Sequence, residues 1–261
     1  MVGTFVFRSA TIAYSVKGKG RSILLIHGFL GAKEIWKELE SRLAKSFKVV
    51  SIDLPGHGQS ACIGYVHDME LLAECCKSLL THLSIRKSIV VGHSLGGYVS
   101  LAFGEKFPDS VLGLMLVNSS AKGDSEDREK SRNQLIRMVK KDRLKLLTSL
   151  VPSFFNIKNR KSTWQIMGYL KMAKNCSEQA IIATVEGMKT RKEREIVLKF
   201  APYPYHYIIG VHDSILNCDQ LIKETKIGAN GSYSLLEGAS HMSLVERKED
   251  VFRAIKSFSK R

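Results

Sequence analysis

Long hydrophobic runs are missing from this chain of 261 residues. No stretch approaches the roughly 18 consecutive apolar residues that a membrane-spanning helix needs, and VLGLMLV at 111–117 is among the longest apolar runs. The amino-terminal segment does not show the basic start, apolar block and small-residue cleavage site of a secretory signal. The sequence therefore predicts neither a membrane span nor a secretory signal.

Cysteine is also scarce, with five residues, at positions 62, 75, 76, 176 and 218. The number is odd and the spacing contains no C-x-x-C pair, so we expect neither a disulfide framework nor a zinc site. The glycine-containing segment HGFLGAK (27–33) lacks the second half of a phosphate-binding loop. These absences predict reduced cysteines in a cytoplasmic protein that uses no cofactor and no metal.

Acidic residues are few, since 25 Asp and Glu stand against 40 Lys and Arg and leave a net charge of +15. Residues 121–200 hold 19 of the basic and 9 of the acidic side chains, a net charge of +10. No RNA- or DNA-binding motif accompanies the charge, so we expect no nucleic acid partner. Two interpretations stay open: a basic surface that only aids solubility, or one that attracts an acidic substrate, such as a carboxylated ester, a coenzyme A thioester or an acyl-carrier protein.

Almost wholly apolar runs alternate with segments whose apolar residues recur at helical spacing. The expected buried strands are 22–27, 48–53, 88–92 and 111–118, and the expected helices are 34–45, 69–83 and 95–107. Two β-rich runs, 4–7 and 11–16, precede them. Strands and helices that alternate through short connections predict an α/β protein with a parallel sheet and right-handed crossovers.

This alternation is interrupted once. From about residue 120 to 195 the pattern is helical without a convincing buried strand; strands resume at 205–210 and 232–237, and a helix at 251–258 closes the chain. The sequence therefore predicts a core formed by 1–119 and 196–261, with a helical cap inserted at 120–195.

The segment GHSLGG (92–97) lies between an expected strand and an expected helix. A serine on so tight a turn adopts strained backbone geometry, and side chains two residues before and after it would clash, which glycine at 92 and 96 avoids. The hydroxyl then lies at a helix N-terminus, where backbone N–H groups stabilise negative charge. Ser94 is therefore a candidate nucleophile; the alternative is a merely structural glycine-rich turn.

A serine nucleophile needs a histidine base that a carboxylate orients. Asp213 follows the strand at 205–210, and His241 follows the strand at 232–237. Active sites of open α/β sheets collect at the carboxyl ends of the strands. The chain order Ser94, Asp213, His241 is also the order that the G-x-S-x-G motif requires.

The chain resembles the α/β-hydrolase superfamily over nearly its whole length. The motifs that carry the resemblance are HGFLG (27–31), DLPGHGQS (53–60), GHSLGG (92–97), GVHD (210–213) and SHM (240–242). The resemblance implies an α/β-hydrolase fold, a mostly parallel doubly wound sheet with an inserted helical cap. It also implies an oxyanion hole formed by the backbone N–H groups of Phe29 and Leu95. Some members carry the acid after the preceding strand, where this chain has Asn118, which favours Asp213.

The function expected from these residues is a serine hydrolase that cleaves a carboxylic ester or thioester of a small acyl substrate. Dehalogenases and epoxide hydrolases of this fold use an aspartate nucleophile, so Ser94 argues against both. Two alternatives stay open: a lyase or C–C bond-cleaving enzyme that uses the same triad on an acidic metabolite, and a non-catalytic ligand-binding protein on a hydrolase scaffold. The physiological substrate cannot be read from the sequence, because cap and loops determine it in this superfamily.

Among the other histidines, His27 is expected to shape the oxyanion loop and His57 to hold the PGHG turn. His93 lies next to Ser94 but is expected to point away from the site. Six cap residues are expected to pack inside the cap, with one or two of them lining the acyl pocket: Phe154, Phe155, Trp164, Met167, Tyr169 and Met172.

Overall fold

One sheet of eight strands forms the centre of the computed structural model, which describes residues 1–156 and 162–261. Its strands are β1 (Val2–Phe7), β2 (Ala10–Lys17), β3 (Ser22–Ile26), β4 (Lys48–Ile52), β5 (Ser88–His93), β6 (Val111–Val117), β7 (Tyr205–Gly210) and β8 (Gly231–Leu236). The spatial order is β1-β2-β4-β3-β5-β6-β7-β8. Strand β2 is antiparallel to β1 and β4, and every other neighbouring pair is parallel. The predicted mostly parallel sheet is confirmed.

The helices follow the expected alternation along the chain. They are α1 (Lys37–Leu43), α2 (Met69–His82), α3 (Leu95–Lys106), α4 (Glu126–Leu150), α5 (Ser162–Asn175), α6 (Glu178–Lys189), α7 (Glu195–Phe200), α8 (Cys218–Glu224), α9 (Ser243–Glu246) and α10 (Lys248–Ser259). Several of these helices have an N-cap side chain that accepts a hydrogen bond from the first turn. In α2 the Asp68 carboxylate accepts from the backbone N–H of Leu71 at 2.7 Å, a donor that would otherwise have no partner in the helix.

Successive side chains of a strand point to opposite sides of the sheet, and in the central strands β3–β7 almost all of them are buried. In β3, Ile23 and Leu25 pack into one hydrophobic cluster with α1 and α10, while Leu24 and Ile26 pack into a second cluster with α2 and α3. All five residues of β3 are buried. Helices therefore cover both faces, which is the doubly wound arrangement expected from the continuous apolar runs.

Helices α4–α7 occupy the chain between β6 and β7, with a short 3₁₀ turn at Val151–Phe154. Non-helical backbone at Asp142 (φ −163°, ψ 90°) breaks α4 in its middle. Buried side chains of α4, such as Ile136 and Val139, join the cluster that also contains α2 and α3. Residues 157–161 of the expected cap lie outside the described residues, and the exact limits of 120–195 for this insertion stay a prediction.

In the described parts of the chain, 1–156 and 162–261, no helix combines the length and the apolar character that crossing a membrane requires.

Candidate active site

Ser94 lies in the turn between β5 and α3 with left-handed backbone geometry (φ +51°, ψ −115°), which a non-glycine residue rarely adopts. The turn is so tight that a Cβ atom on Gly92 would lie 2.1 Å from the carbonyl oxygen of Gly96. A Cβ atom on Gly96 would lie 2.3 Å from the carbonyl oxygen of Ile26 in β3. Both obstacles are backbone atoms that cannot move aside, so the two glycines are needed for Ser94 to occupy this position.

His241 and Asp213 reach Ser94 from the loops after β8 and β7. The Nε2 atom of His241 lies 2.9 Å from Ser94 Oγ, and its Nδ1 atom lies 2.9 Å from Asp213 Oδ2. His241 is 4% exposed, and the side chain of Asp213 is fully buried. The three residues that the sequence singled out thus form a continuous hydrogen-bonded chain at the carboxyl ends of the parallel strands.

The Asp213 carboxylate accepts several hydrogen bonds besides that of His241. The side-chain amide of Asn118 donates to Oδ2 at 2.8 Å, and the backbone N–H groups of Ile215 and Leu216 donate to Oδ1 at 2.8 and 3.1 Å. Burial opposes ionisation, but the neighbouring His241 and these donors outweigh it and lower the pKa of Asp213 below its ordinary value. Asp213 is therefore a carboxylate at neutral pH.

Of the residues expected to form the oxyanion hole, Leu95 follows the serine directly in the chain and Phe29 lines the same cavity as Ser94. Leu95 is the first residue of α3, so its backbone N–H has no partner one turn earlier in the helix. Phe29 lies in the loop after β3, where the Tyr169 hydroxyl of α5 donates to its carbonyl oxygen at 2.7 Å. The helical insertion thereby fixes the loop that carries the Phe29 N–H. The oxyanion role of both residues stays a prediction.

His27 and His57 support the two loops beside the site. His27 accepts a hydrogen bond from the Leu54 backbone N–H on Nε2 (3.0 Å) and therefore donates from Nδ1 to the carbonyl of Gly28 (2.8 Å). His57 donates from Nδ1 to the carbonyl of Pro55 at 3.1 Å. Burial lowers the pKa of His27 to about 4 and that of His57 to about 3. Both rings are neutral: His27 connects the loops after β3 and β4, and His57 holds its own turn.

His93 differs from the expectation, because it does not point away from the site. Its Nε2–H donates to the backbone carbonyl of His241 at 2.9 Å, and the two rings lie 5.3 Å apart between centroids. Burial lowers the pKa of His93 to about 3. A neutral His93 therefore fixes the backbone of His241, although it takes no part in the chain of hydrogen bonds from Asp213 through His241 to Ser94.

The family model described as the alpha/beta hydrolase fold matches residues 21–161, more than half of the chain. The chain belongs to the α/β-hydrolase-fold family. The family resemblance and the predicted fold class are thereby confirmed.

Relatives of this α/β hydrolase include esterases. The chain is 25% identical over 248 residues to a pimeloyl-[acyl-carrier protein] methyl ester esterase of Pseudoalteromonas atlantica, covering 92% of this chain and 95% of that protein. It is 27% identical over 243 residues to the dihydrolipoyllysine-residue acetyltransferase component of the acetoin cleaving system of Pseudomonas putida, covering 92% of this chain but 63% of that protein. A solved structure of a thermophilic esterase from Thermogutta terrifontis superposes with a TM-score of 0.92 at 25% identity, covering 99% and 97% of the two chains. The chain is thus a member of the α/β-hydrolase family with esterases among its relatives.

A cavity with an empty volume of about 430 Å³, including the open space at its mouth, lies over Ser94. Its lining residues are Phe29, His93, Ser94, Tyr98, Arg132, Phe154, Tyr169, Met188, Ile215 and His241. Of the residues expected to pack inside the cap, Phe154 and Tyr169 line this cavity, whereas Trp164 and Met167 are exposed to solvent. Sequence reasoning missed Tyr98 and Arg132; the basic excess of residues 121–200 pointed to the segment that contains Arg132 but not to that side chain.

Among the described residues, no group of three or more His, Cys, Asp or Glu side chains is placed so that it could hold a metal ion.

Proposed function

We propose that this protein is a serine hydrolase that cleaves a carboxylic ester or thioester of a small acyl substrate. The observation that carries the proposal is the continuous contact from Asp213 through His241 to Ser94, with both distances at 2.9 Å. Esterases among the relatives support the same reaction class. The cavity over Ser94 is lined mainly by apolar side chains, which can contact an acyl group next to the serine.

In the proposed reaction, His241 takes the proton of Ser94 as its Oγ attacks the carbonyl carbon of the substrate. The backbone N–H groups of Phe29 and Leu95 stabilise the oxyanion that forms. His241 then protonates the leaving alcohol or thiol, which departs and leaves an acyl-enzyme. Water then attacks the acyl group with His241 again as the base. The bond to Ser94 Oγ breaks, the free acid is released, and Oγ takes back its proton from His241. Asp213 fixes the orientation of the ring and stabilises its protonated form.

The lowered pKa of Asp213 suits this role, because only a carboxylate stabilises the imidazolium that forms in each half of the reaction. The hydrogen bonds from Asn118, Ile215 and Leu216 engage both oxygens of the carboxylate and restrict its rotation. We therefore propose that Asn118, which occupies the position where some family members carry the acid, serves this protein as a donor that orients Asp213.

The test is a panel of esters and acyl thioesters of increasing chain length, hydrolysed in ¹⁸O-labelled water. Hydrolysis predicts one labelled oxygen in the acid product, whereas elimination or C–C cleavage without water addition leaves the product unlabelled. Ser94→Ala should lower kcat by about 10⁴-fold or more. A Ser94→Ala variant that keeps a tenth of the activity would contradict the assignment of the nucleophile.

A matched control is Ser119→Ala. Ser119 lies beside the same turn, but its hydroxyl donates to the Ser94 backbone carbonyl at 2.8 Å and not to His241. This variant removes the same atom from the same neighbourhood and should keep activity within about tenfold, because the loss of one neutral hydrogen bond is a small perturbation.

A further inference from the structure

Arg132 brings a permanent positive charge to the wall of the cavity that contains Ser94. It lies in α4, and its side chain is 17% exposed. The other side chains of this wall, such as Met188 and Ile215, are mainly apolar. A guanidinium that opens into an apolar, nearly closed space is costly unless it has polar partners.

The surroundings of Arg132 fix it in place. Its Nε donates to Asp124 Oδ2 at 3.0 Å, and the other oxygen of that fully buried carboxylate accepts from Nη1 of Arg191 at 2.5 Å. Arg191 is itself 4% exposed, donates to the carbonyl of Met188, and lies 4.1 Å from the ring centroid of Tyr98. Two arginines thus share one carboxylate, which leaves one positive charge uncompensated within this group.

The uncompensated charge belongs to the arginine that faces the cavity. A guanidinium has five N–H donors, and among the described residues Arg132 uses only Nε, in its bond to Asp124. Its two Nη groups have the planar fork that matches a carboxylate with two parallel hydrogen bonds. Arg191, by contrast, is enclosed by Asp124, Met188 and Tyr98 and does not line the cavity over Ser94.

We propose that Arg132 binds a carboxylate of the substrate, so that this enzyme selects esters or thioesters that carry a second, ionised carboxyl group. The inference rests on the proposed hydrolase function and names its substrate class. Arg132 and Ser94 line the same small cavity, so only a few carbon atoms separate the two groups of the substrate.

The carboxylate has two chemical sources, the acyl part or the alcohol part of the ester, and two pairs of probes separate them. The acyl pair is the methyl half-ester of glutaric acid and its neutral isostere, the methyl ester of glutaric monoamide, extended to the succinic and adipic homologues. The alcohol pair is the butanoyl ester of glycolic acid and that of glycolamide. Within each pair the shape is conserved and only the charge differs, so the ratio of kcat/KM reports recognition of the carboxylate.

The variants are Arg132→Gln and a matched control, Arg137→Gln, which removes the same charge from an exposed position of α4. Arg132→Gln leaves Asp124 paired with Arg191, so the fold should be retained, and thermal unfolding checks this. We expect the wild type to prefer the acid of one pair. Arg132→Gln should lower kcat/KM for that acid by about 100-fold and for the amide by less than about threefold, while Arg137→Gln changes neither.

Equal rates for acid and amide in both pairs, or an equal loss of both in Arg132→Gln, would overturn the proposal. An equal loss for the acid in Arg137→Gln would also overturn it, because long-range attraction by the basic helix would then explain the preference.

A binding measurement separates this inference from the hydrolase function. Titration calorimetry with glutarate and with glutaramide on Ser94→Ala should show binding of glutarate that Arg132→Gln abolishes. If no ester is cleaved but glutarate still binds through Arg132, the hydrolase proposal fails and the carboxylate site stands. If esters are cleaved and glutarate does not bind, the carboxylate site fails and the hydrolase proposal stands.

Discussion

Three buried histidines next to the candidate site, His27, His57 and His93, should make the protein sensitive to mild acid. In the folded state their rings stay neutral, because burial lowers their pKa values to about 4, about 3 and about 3. In the unfolded chain a histidine takes up a proton near pH 6.5, its ordinary pKa. Between these values the unfolded state binds more protons than the folded state, so stability falls as the pH falls below 6.5.

The size of the effect follows from the gap between the pKa values. Each pH unit below the pKa of the unfolded chain lowers the free energy of unfolding by about 1.4 kcal/mol per histidine. Since pH 5 lies about 1.5 units below that pKa, each ring lowers the free energy of unfolding by about 2 kcal/mol there. The three together cost about 6 kcal/mol, a large part of the 5–15 kcal/mol that typically separates folded from unfolded protein. Buried Glu224, whose pKa is raised by burial, acts in the opposite direction, whereas burial also lowers the pKa of His67, and that of His206 to about 4, which adds to the loss.

Urea unfolding at pH 7 and pH 5, at one ionic strength, measures the effect as a fall in the midpoint with an unchanged slope. His57→Gln should lose about 2 kcal/mol less between the two pH values than the wild type does. His212→Gln is the matched control, since His212 is exposed and its removal should leave the difference unchanged. A midpoint that does not fall at pH 5, or a His57→Gln variant as sensitive as the wild type, would refute the reasoning.

Three further variants probe the geometry of the site. Asp213→Asn should lower kcat by about 10⁴-fold while the melting temperature stays close to that of the wild type; activity within tenfold would point to another carboxylate. Gly96→Ala should lower the free energy of unfolding by about 3 kcal/mol or more, because its Cβ would meet the carbonyl of Ile26 at 2.3 Å; an unchanged urea midpoint would contradict the steric argument. Tyr169→Phe removes the hydrogen bond to the Phe29 carbonyl and should lower the free energy of unfolding by about 1–2 kcal/mol. It should also lower kcat more than it changes KM, and an effect on KM alone would exclude a role of Tyr169 in positioning the loop of Phe29.

The positions of Ser94, Asp213 and His241 could be predicted because each follows a strand that the apolar pattern makes visible. The carboxyl ends of parallel strands meet at one edge of the sheet, so chain order was enough to bring the three residues together. No knowledge of how the helices pack was needed for this step.

Residues whose place depends on helix packing could not be predicted in the same way. Arg132 lines the cavity because of how α4 packs, and no sequence pattern distinguishes it from the exposed Arg137. His93 ends a strand that is buried along its whole length, so β5 shows no polar alternation to indicate the direction of that ring. In the sequence, Asn118 is notable only because some family members carry the acid of the triad at this position. In the structure its amide donates a hydrogen bond to Asp213.

The central claim is that Ser94 forms a covalent acyl-enzyme, and rapid-quench mass spectrometry tests it most directly. The protein is mixed with a p-nitrophenyl ester, quenched in acid within milliseconds and digested. The account predicts a transient acyl mass on the peptide that contains Ser94, formed together with a burst of p-nitrophenol and absent from Ser94→Ala. Turnover of the ester without any acyl mass on that peptide, or an acyl mass that persists in Ser94→Ala on another residue, would contradict it.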